Sequence, residues 1–240
     1  MLLLWLALTV PGHAQTDAPA NPPQSGPPRS AARAEINDSD ALPMLEFQAR
    51  APTDLLAILV SGASGWSDLD EELATALQRS GVHVVGWDCR RYFRRPKTSR
   101  QTAEDLAAVI QIHMFRWGVR SVALVGDGFG ANLLPMVFER MNGEMPGLLV
   151  QMSLFGFTGK PLFEIPEDGG EAAAAEARAA PAGAEIAVLP GEKLQCFHGA
   201  AEGDSACPSL PKGAESLPLP DDHGELARQI LAGLQKRAAP

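Results

Sequence analysis

The chain has 240 residues, 45% hydrophobic and 20% charged, which suffices for one domain with a substantial core. A formal charge of -9 argues against general nucleic-acid binding and mildly favours repulsion from an anionic membrane, although a local basic patch can override the total. Net charge alone names no partner.

The apolar run Leu2 to Val10 is too short to span a membrane, and Pro11-Gly12-His13-Ala14 supplies the small residues a signal peptidase reads. Residues 1–14 are therefore expected to be a signal peptide that directs export to the periplasm. No positive charge precedes the run, which leaves an uncleaved anchor as the alternative. Residues 15–40 are rich in Pro, Ala, Gly and Ser and lack large apolar side chains, the composition of a disordered tether. Residues 41–240 form the predicted domain.

Met44 to Gln48 alternates like an edge strand, and Leu55 to Val60 is a continuous apolar run suited to a central one. Ser61 to Trp66 is a loop. Ser67 and Asp70 then make a capping box for a helix with Leu69, Leu73, Ala76 and Leu77 on one face, closed by Gly81. Val82 to Trp87 is the next buried strand. A second helix is predicted from about Thr102 to Trp117 with Gly118 as its stop, and His113 on its apolar stripe reads as a packed side chain. Ser121 to Val125 forms a strand and Ala131 to about Met141 a helix. Strands Leu148 to Leu154, Leu194 to His198 and Ala214 to Leu219 follow, then an amphipathic helix from Gly224 to Lys236. Residues 167–185, mostly Ala, Gly and Glu, read as a low-complexity surface insertion. This alternation implies an α/β three-layer sandwich with a mostly parallel central sheet.

Val122 to Gly130 reads Val-Ala-Leu-Val-Gly-Asp-Gly-Phe-Gly. An α/β-hydrolase nucleophile elbow has the form G-x-S-x-G between a buried strand and a helix. Gly126 and Gly130 hold its flanking places, and Gly128 stands where the serine belongs. Glycine offers no oxygen to be deprotonated and acylated, so covalent catalysis is excluded at that position. The chain order nucleophile, acid, base points to Glu202 or Asp204 just past one late strand and to His223 just past the last. Asp127 precedes the apex by one residue and reads as a surface or helix-start carboxylate. Cys196 and Cys207 are close enough to clip one loop with a disulfide in an oxidising compartment, leaving Cys89 in the core. The basic stretch Arg90 to Lys97, with Tyr92 and Phe93 inside it, suits an anion or lipid head group; a solvated loop over packed aromatics is the alternative.

Several motifs keep one order along the chain: Leu59-Val60-Ser61-Gly62 through Gly65-Trp66, Asp68-Leu69-Asp70, Val84 to Asp88, Arg91-Tyr92-Phe93, Asp105-Leu106, Gly126 with Phe129-Gly130-Ala131, Phe163-Glu164-Ile165 and Cys207-Pro208. Together they resemble the bacterial virulence protein VirJ family, which includes the C-terminal part of AcvB, over roughly Leu55 to Leu234. The resemblance implies an exported α/β-hydrolase-fold protein related to aminoacyl-phosphatidylglycerol hydrolases and linked to type IV secretion. It implies oxyanion donors around Ala63, Ser64 and Phe129, and a substrate surface including Trp66, Arg91, Tyr92 and Phe93. No cofactor or metal is expected. The expected partners are a phospholipid head group or small ester and an envelope or secretion-system protein, not nucleic acid. The chain departs from the family pattern at Gly128 and Asp127, in the loop Gly62-Ala63-Ser64-Gly65, in the short segment after His223 and in the Ala-rich insertion. A binding protein without catalysis and a hydrolase with a relocated nucleophile are the competing expectations.

Overall fold

The computed structural model describes residues 42–142, 147–167, 179–199 and 203–238, with position 175. The expected signal peptide and tether, most of the insertion, and Glu202 lie outside the described residues. Seven strands are β1 Met44–Phe47, β2 Leu55–Val60, β3 His83–Trp87, β4 Ser121–Asp127, β5 Leu149–Phe155, β6 Leu194–His198 and β7 Glu215–Pro218. They form one sheet in the order β1-β3-β2-β4-β5-β6-β7, parallel throughout except for β1 against β3. The α-helices bounded within the described residues are α1 Asp68–Arg79, α2 Cys89–Tyr92, α3 Ser99–Trp117, α4 Phe129–Asn142, α5 Gly183–Ala187 and, after the last strand, α6 His223–Ala238.

The period-two alternation of a strand divides the core between two faces. Leu56, Ile58 and Val60 of β2 pack with Leu106 and Ile110 of α3 and with Leu134 and Val137 of α4. Ala57 and Leu59, from the same strand, pack on the other face with Leu73 and Leu77 of α1 and Ile230 and Leu234 of α6. The result is the three-layer sandwich that the order of elements predicts. On the second face a buried polar seam holds α6: the Gln151 amide donates to Gln195 Oε1 at 2.8 Å and to the Ile230 carbonyl at 3.0 Å.

The boundaries differ from expectation at two helix caps. α3 starts at Ser99 because Thr98 and Gln101 form a capping box three residues upstream of the predicted start. The short α2 was not expected; Asp88 Oδ1 caps it by accepting from the Arg91 amide. At the end of the insertion Ala182 is buried just before α5, with Ile186 of α5 buried one residue past the predicted boundary, so the last part of that segment belongs to the core. His113 is buried, with Nδ1 2.7 Å from the Val109 carbonyl oxygen and Nε2 3.1 Å from Glu46 Oε1, as a packed side chain. Cys196 and Cys207 are joined in a disulfide, and Cys89 is free and buried.

Candidate functional site

The site is built around the corner between β4 and α4. β4 is central, with Gly126 opposite Val60 of β2 and Leu154 of β5, and the chain must reverse steeply to lay α4 back on the sheet. Close approach is possible because Gly130 has no side chain: a Cβ there would lie 2.2 Å from the Val60 carbonyl oxygen. The apex, Gly128, has φ 43°. Its amide donates to the Phe155 carbonyl at 2.8 Å, and its carbonyl accepts from the Asn132 amide at 3.0 Å. A Cβ at Gly128 would meet nothing within 4 Å. The turn thus keeps the left-handed conformation of a nucleophile elbow and open space for a side chain that the sequence does not supply.

That space belongs to a cavity of about 300 Å³ lined by Ala63, Gly128, Phe129, Asn132, Gly156 and Lys160, with Leu162, Glu164, Ile165 and Pro166 on the wall that follows β5. Of the three residues expected around the oxyanion hole, Ala63 and Phe129 line this cavity, whereas Ser64 is exposed and is not in its lining. Asn132 is the functional residue that sequence reasoning missed. Its side-chain amide donates to the Gly128 carbonyl at 3.0 Å, while Oδ1 accepts from the amides of Thr158 at 2.9 Å and Gly159 at 2.8 Å. One side chain therefore fastens the cavity wall to the elbow. An amide in the apolar run Ala131 to Leu134 was the available signal. Asn132→Ala leaves backbone donors without their acceptor and is expected to cost about 2–3 kcal/mol, measured by urea unfolding, with faster amide exchange at Thr158 and Gly159.

His223 is not in this cavity. It opens α6, and its Nδ1 lies 2.8 Å from Glu72 Oε2 of α1. The ring lines a separate hollow of about 350 Å³ with Glu71, Glu72, Thr75 and Arg79. The physical reason is the shortness of the connection: β7 ends at Pro218, and Asp222 Oδ1 already caps α6 by accepting from the Glu225 amide at 2.7 Å. Asp204 is exposed, and the structure shows no contact between it and His223. Of the expected catalytic set, the structure brings Gly128, Phe129 and Ala63 together and leaves Asp204 and His223 elsewhere.

The expected substrate surface divides in the same way. Tyr92 and Phe93 are buried, in edge-on contact with each other, and Phe93 meets Phe129 behind the cavity. Burial, with the Asp105 carboxylate accepting from its hydroxyl, holds the Tyr92 phenol far above its ordinary range. Trp66 stacks on Phe47 and donates from Nε1 to Glu71 Oε2. Arg91 is half-buried on α2. Arg94 and Arg95 are exposed in a turn stitched to the cavity wall, since the Lys97 amide donates to the Phe163 carbonyl and the Ile165 amide to that of Phe93. Arg90 lies near the loop at Gly65, where an added Cβ would stand 3.1 Å from the Arg90 Cβ.

A family model for the bacterial virulence protein VirJ matches residues 54–238. The chain belongs to the VirJ family. No curated protein matches it. Among solved structures, the VirJ-family chain is similar to Est1E from Butyrivibrio proteoclasticus (TM-score 0.61, 13% identity, 87% of this chain and 100% of that one). It is also similar to TT1662 from Thermus thermophilus (TM-score 0.55, 18% identity, 83% and 94%). A third similar structure is XC6422 from Xanthomonas campestris, an α/β serine hydrolase without a lid (TM-score 0.53, 16% identity, 83% and 91%). At such identities these likenesses establish the α/β-hydrolase fold of this VirJ-family member and no activity.

Proposed function

We propose that this chain is an exported, periplasmic VirJ-family protein whose elbow cavity binds the head group of an aminoacyl-phosphatidylglycerol or a related ester, with catalysis weak or lost. The observation that carries the reading is Gly128: the elbow keeps its corner and its cavity, and the atom that would form the acyl bond is missing. His223 paired to Glu72 supports it, because removal of a triad member leaves only the residual rate from oxyanion donors and placement, about 10³–10⁴ over water. Phosphate-compatible charge supports the ligand class. Lys160 lines the cavity, and Arg94 and Arg95 are exposed in the turn hydrogen-bonded to its wall, in an otherwise acidic protein.

The test is co-sedimentation with phosphatidylglycerol vesicles against phosphatidylcholine vesicles. Binding to the anionic vesicles is expected, and Arg94→Glu/Arg95→Glu should weaken it at least tenfold, by roughly 1 kcal/mol for each charge near the surface. Equal sedimentation with both lipids would reject the ligand class. Fluorophosphonate labelling of the native protein at the rate of a serine hydrolase would reject the loss of catalysis. A second reading, an accessory that binds an envelope or secretion-system protein, draws on α3, where Ile112 is 53% and Phe115 93% exposed on adjacent turns.

A further inference from the structure

His83 opens β3, at the end of the parallel strands opposite the elbow, which follows the last residue of β4. There one aromatic ring is held between two histidines. Trp117, the last residue of α3, stacks on His83 with ring centroids 4.7 Å apart and meets His113 of its own helix at 4.8 Å. Each histidine also reaches the chain at β1. His83 Nδ1 accepts from the Ala49 amide at 3.1 Å, two residues past the strand, and His113 Nε2 lies 3.1 Å from Glu46 Oε1 within it. Both histidines and Ala49 are buried.

The two contacts answer acid differently. A backbone amide can only donate, so the bond from Ala49 requires His83 Nδ1 to be unprotonated; a proton there sets N–H against N–H in a buried site. Burial lowers the His83 imidazole from its ordinary value of 6.5. The charged groups on the elements around it are engaged elsewhere or exposed. Glu46 of β1 is shared between His113 and Arg116 of α3, Arg50 beyond Ala49 is exposed, and the Asp54–Arg120 ion pair before β2 is exposed. β2 sets the apolar Leu56 in register with His83, and α1 packs on the opposite face of the sheet, against Val84. At Glu46, burial raises the carboxyl, but hydrogen bonds with His113 and Arg116 outweigh it and hold the group below its ordinary 4.5. At pH 5 Glu46 is therefore still ionised, and β1 is still anchored to α3.

We propose that the connection from Ala49 to Asp54 is an acid-released latch: protonation of His83 frees it from β3, while Glu46 keeps β1 in place. The Gln48 carbonyl accepts from Gln78 Nε2 at one end, and the Asp54 carbonyl accepts from the Arg120 and Ser121 amides at the other. Between them the hydrogen bond from Ala49 is the tie to the sheet among the described residues. The histidine ring stays and the connection leaves, because β3 is paired on both sides, with β1 and β2, and the face of Trp117 attracts an imidazolium as well as an imidazole. The inference is independent of the reading of the elbow cavity.

Amide exchange read residue by residue by NMR at pH 7.5 and pH 5.0, each rate divided by its intrinsic value, tests it. In the wild type the opening of the Ala49 amide is expected to rise about tenfold at pH 5.0, within a limit of about thirtyfold set by an imidazole of ordinary value 6.5. The amides of β1 should keep their protection. His83→Asn puts an acceptor, Oδ1, where Nδ1 stood and does not titrate, so its Ala49 opening should be equal at the two values. The ring nitrogen shifts of wild-type His83 give a reading that needs no variant and decide the matter if His83→Asn does not fold. They should show a neutral ring protonated at Nε2 at pH 7.5, with a midpoint below 6.5. An Ala49 amide that ignores pH in the wild type, an equal rise in His83→Asn, or loss of β1 protection together with Ala49 would overturn the inference. So would a ring protonated at Nδ1 at pH 7.5, or a midpoint at or above 6.5.

Discussion

Gly130→Ala is expected to destabilise the protein by about 3 kcal/mol or more, near the upper end for overpacking. The added carbon would stand 2.2 Å from the Val60 carbonyl oxygen and 2.8 Å from Val60 Cγ1, both on the central strand β2. Neither can retreat, since Val60 is paired with Trp87 on one side and Gly126 on the other. α4 must lift instead, separating Leu134 and Val137 from the core. Gly128→Ser is the control. Its side chain enters open space, and the remaining cost is the left-handed backbone at φ 43°, about 1–2 kcal/mol. Urea unfolding of the two variants therefore separates tight packing from backbone strain at positions two residues apart. Equal losses would mean that the helix does not dock as described.

The same contrast explains what could be read from sequence. Gly126 and Gly130 are local signals, because the close approach of strand and helix at these two positions leaves room for glycine alone, so the elbow is legible in the sequence. The strands were legible for a similar reason: runs such as Leu55 to Val60 are buried on both faces and leave no polar alternative. The partners of polar side chains were not legible. Glu72 lies 151 positions from His223, and no local rule says that a histidine after the last strand turns toward α1 instead of toward the elbow. Asn132 shows its role only when β5 brings Thr158 and Gly159 against it. The aromatics of the basic stretch misled in the opposite direction. Tyr92 and Phe93 sit among arginines in sequence, yet α2 turns both into the core and leaves Arg94 and Arg95 at the surface.

Asp127→Asn is expected to stabilise the protein at pH 7.5 by about 2–3 kcal/mol and to leave it nearly unchanged at pH 4. Burial first, and the neighbouring Asp70 charge second, raise the Asp127 carboxyl from its ordinary value of 3.8 to about 6. The folded protein thus holds this proton more tightly than the unfolded chain does. The associated stability is fully present below pH 3.8, declines through the interval, and is lost above pH 6. Asparagine keeps the shape and has no charge to desolvate, so its advantage appears only where aspartate is ionised. Asp70, whose carboxyl burial also raises, adds to the same trend in the wild type and is relieved of one repulsion in the variant. Urea midpoints at pH 4.0, 5.0 and 7.5 measure the difference, and the pairwise comparison cancels carboxylates common to both proteins. A gain equal at all three values would show that Asp127 is not held in its charged form against burial. A gain confined to neutral pH would mean that the native sequence keeps a destabilising charge beside the elbow.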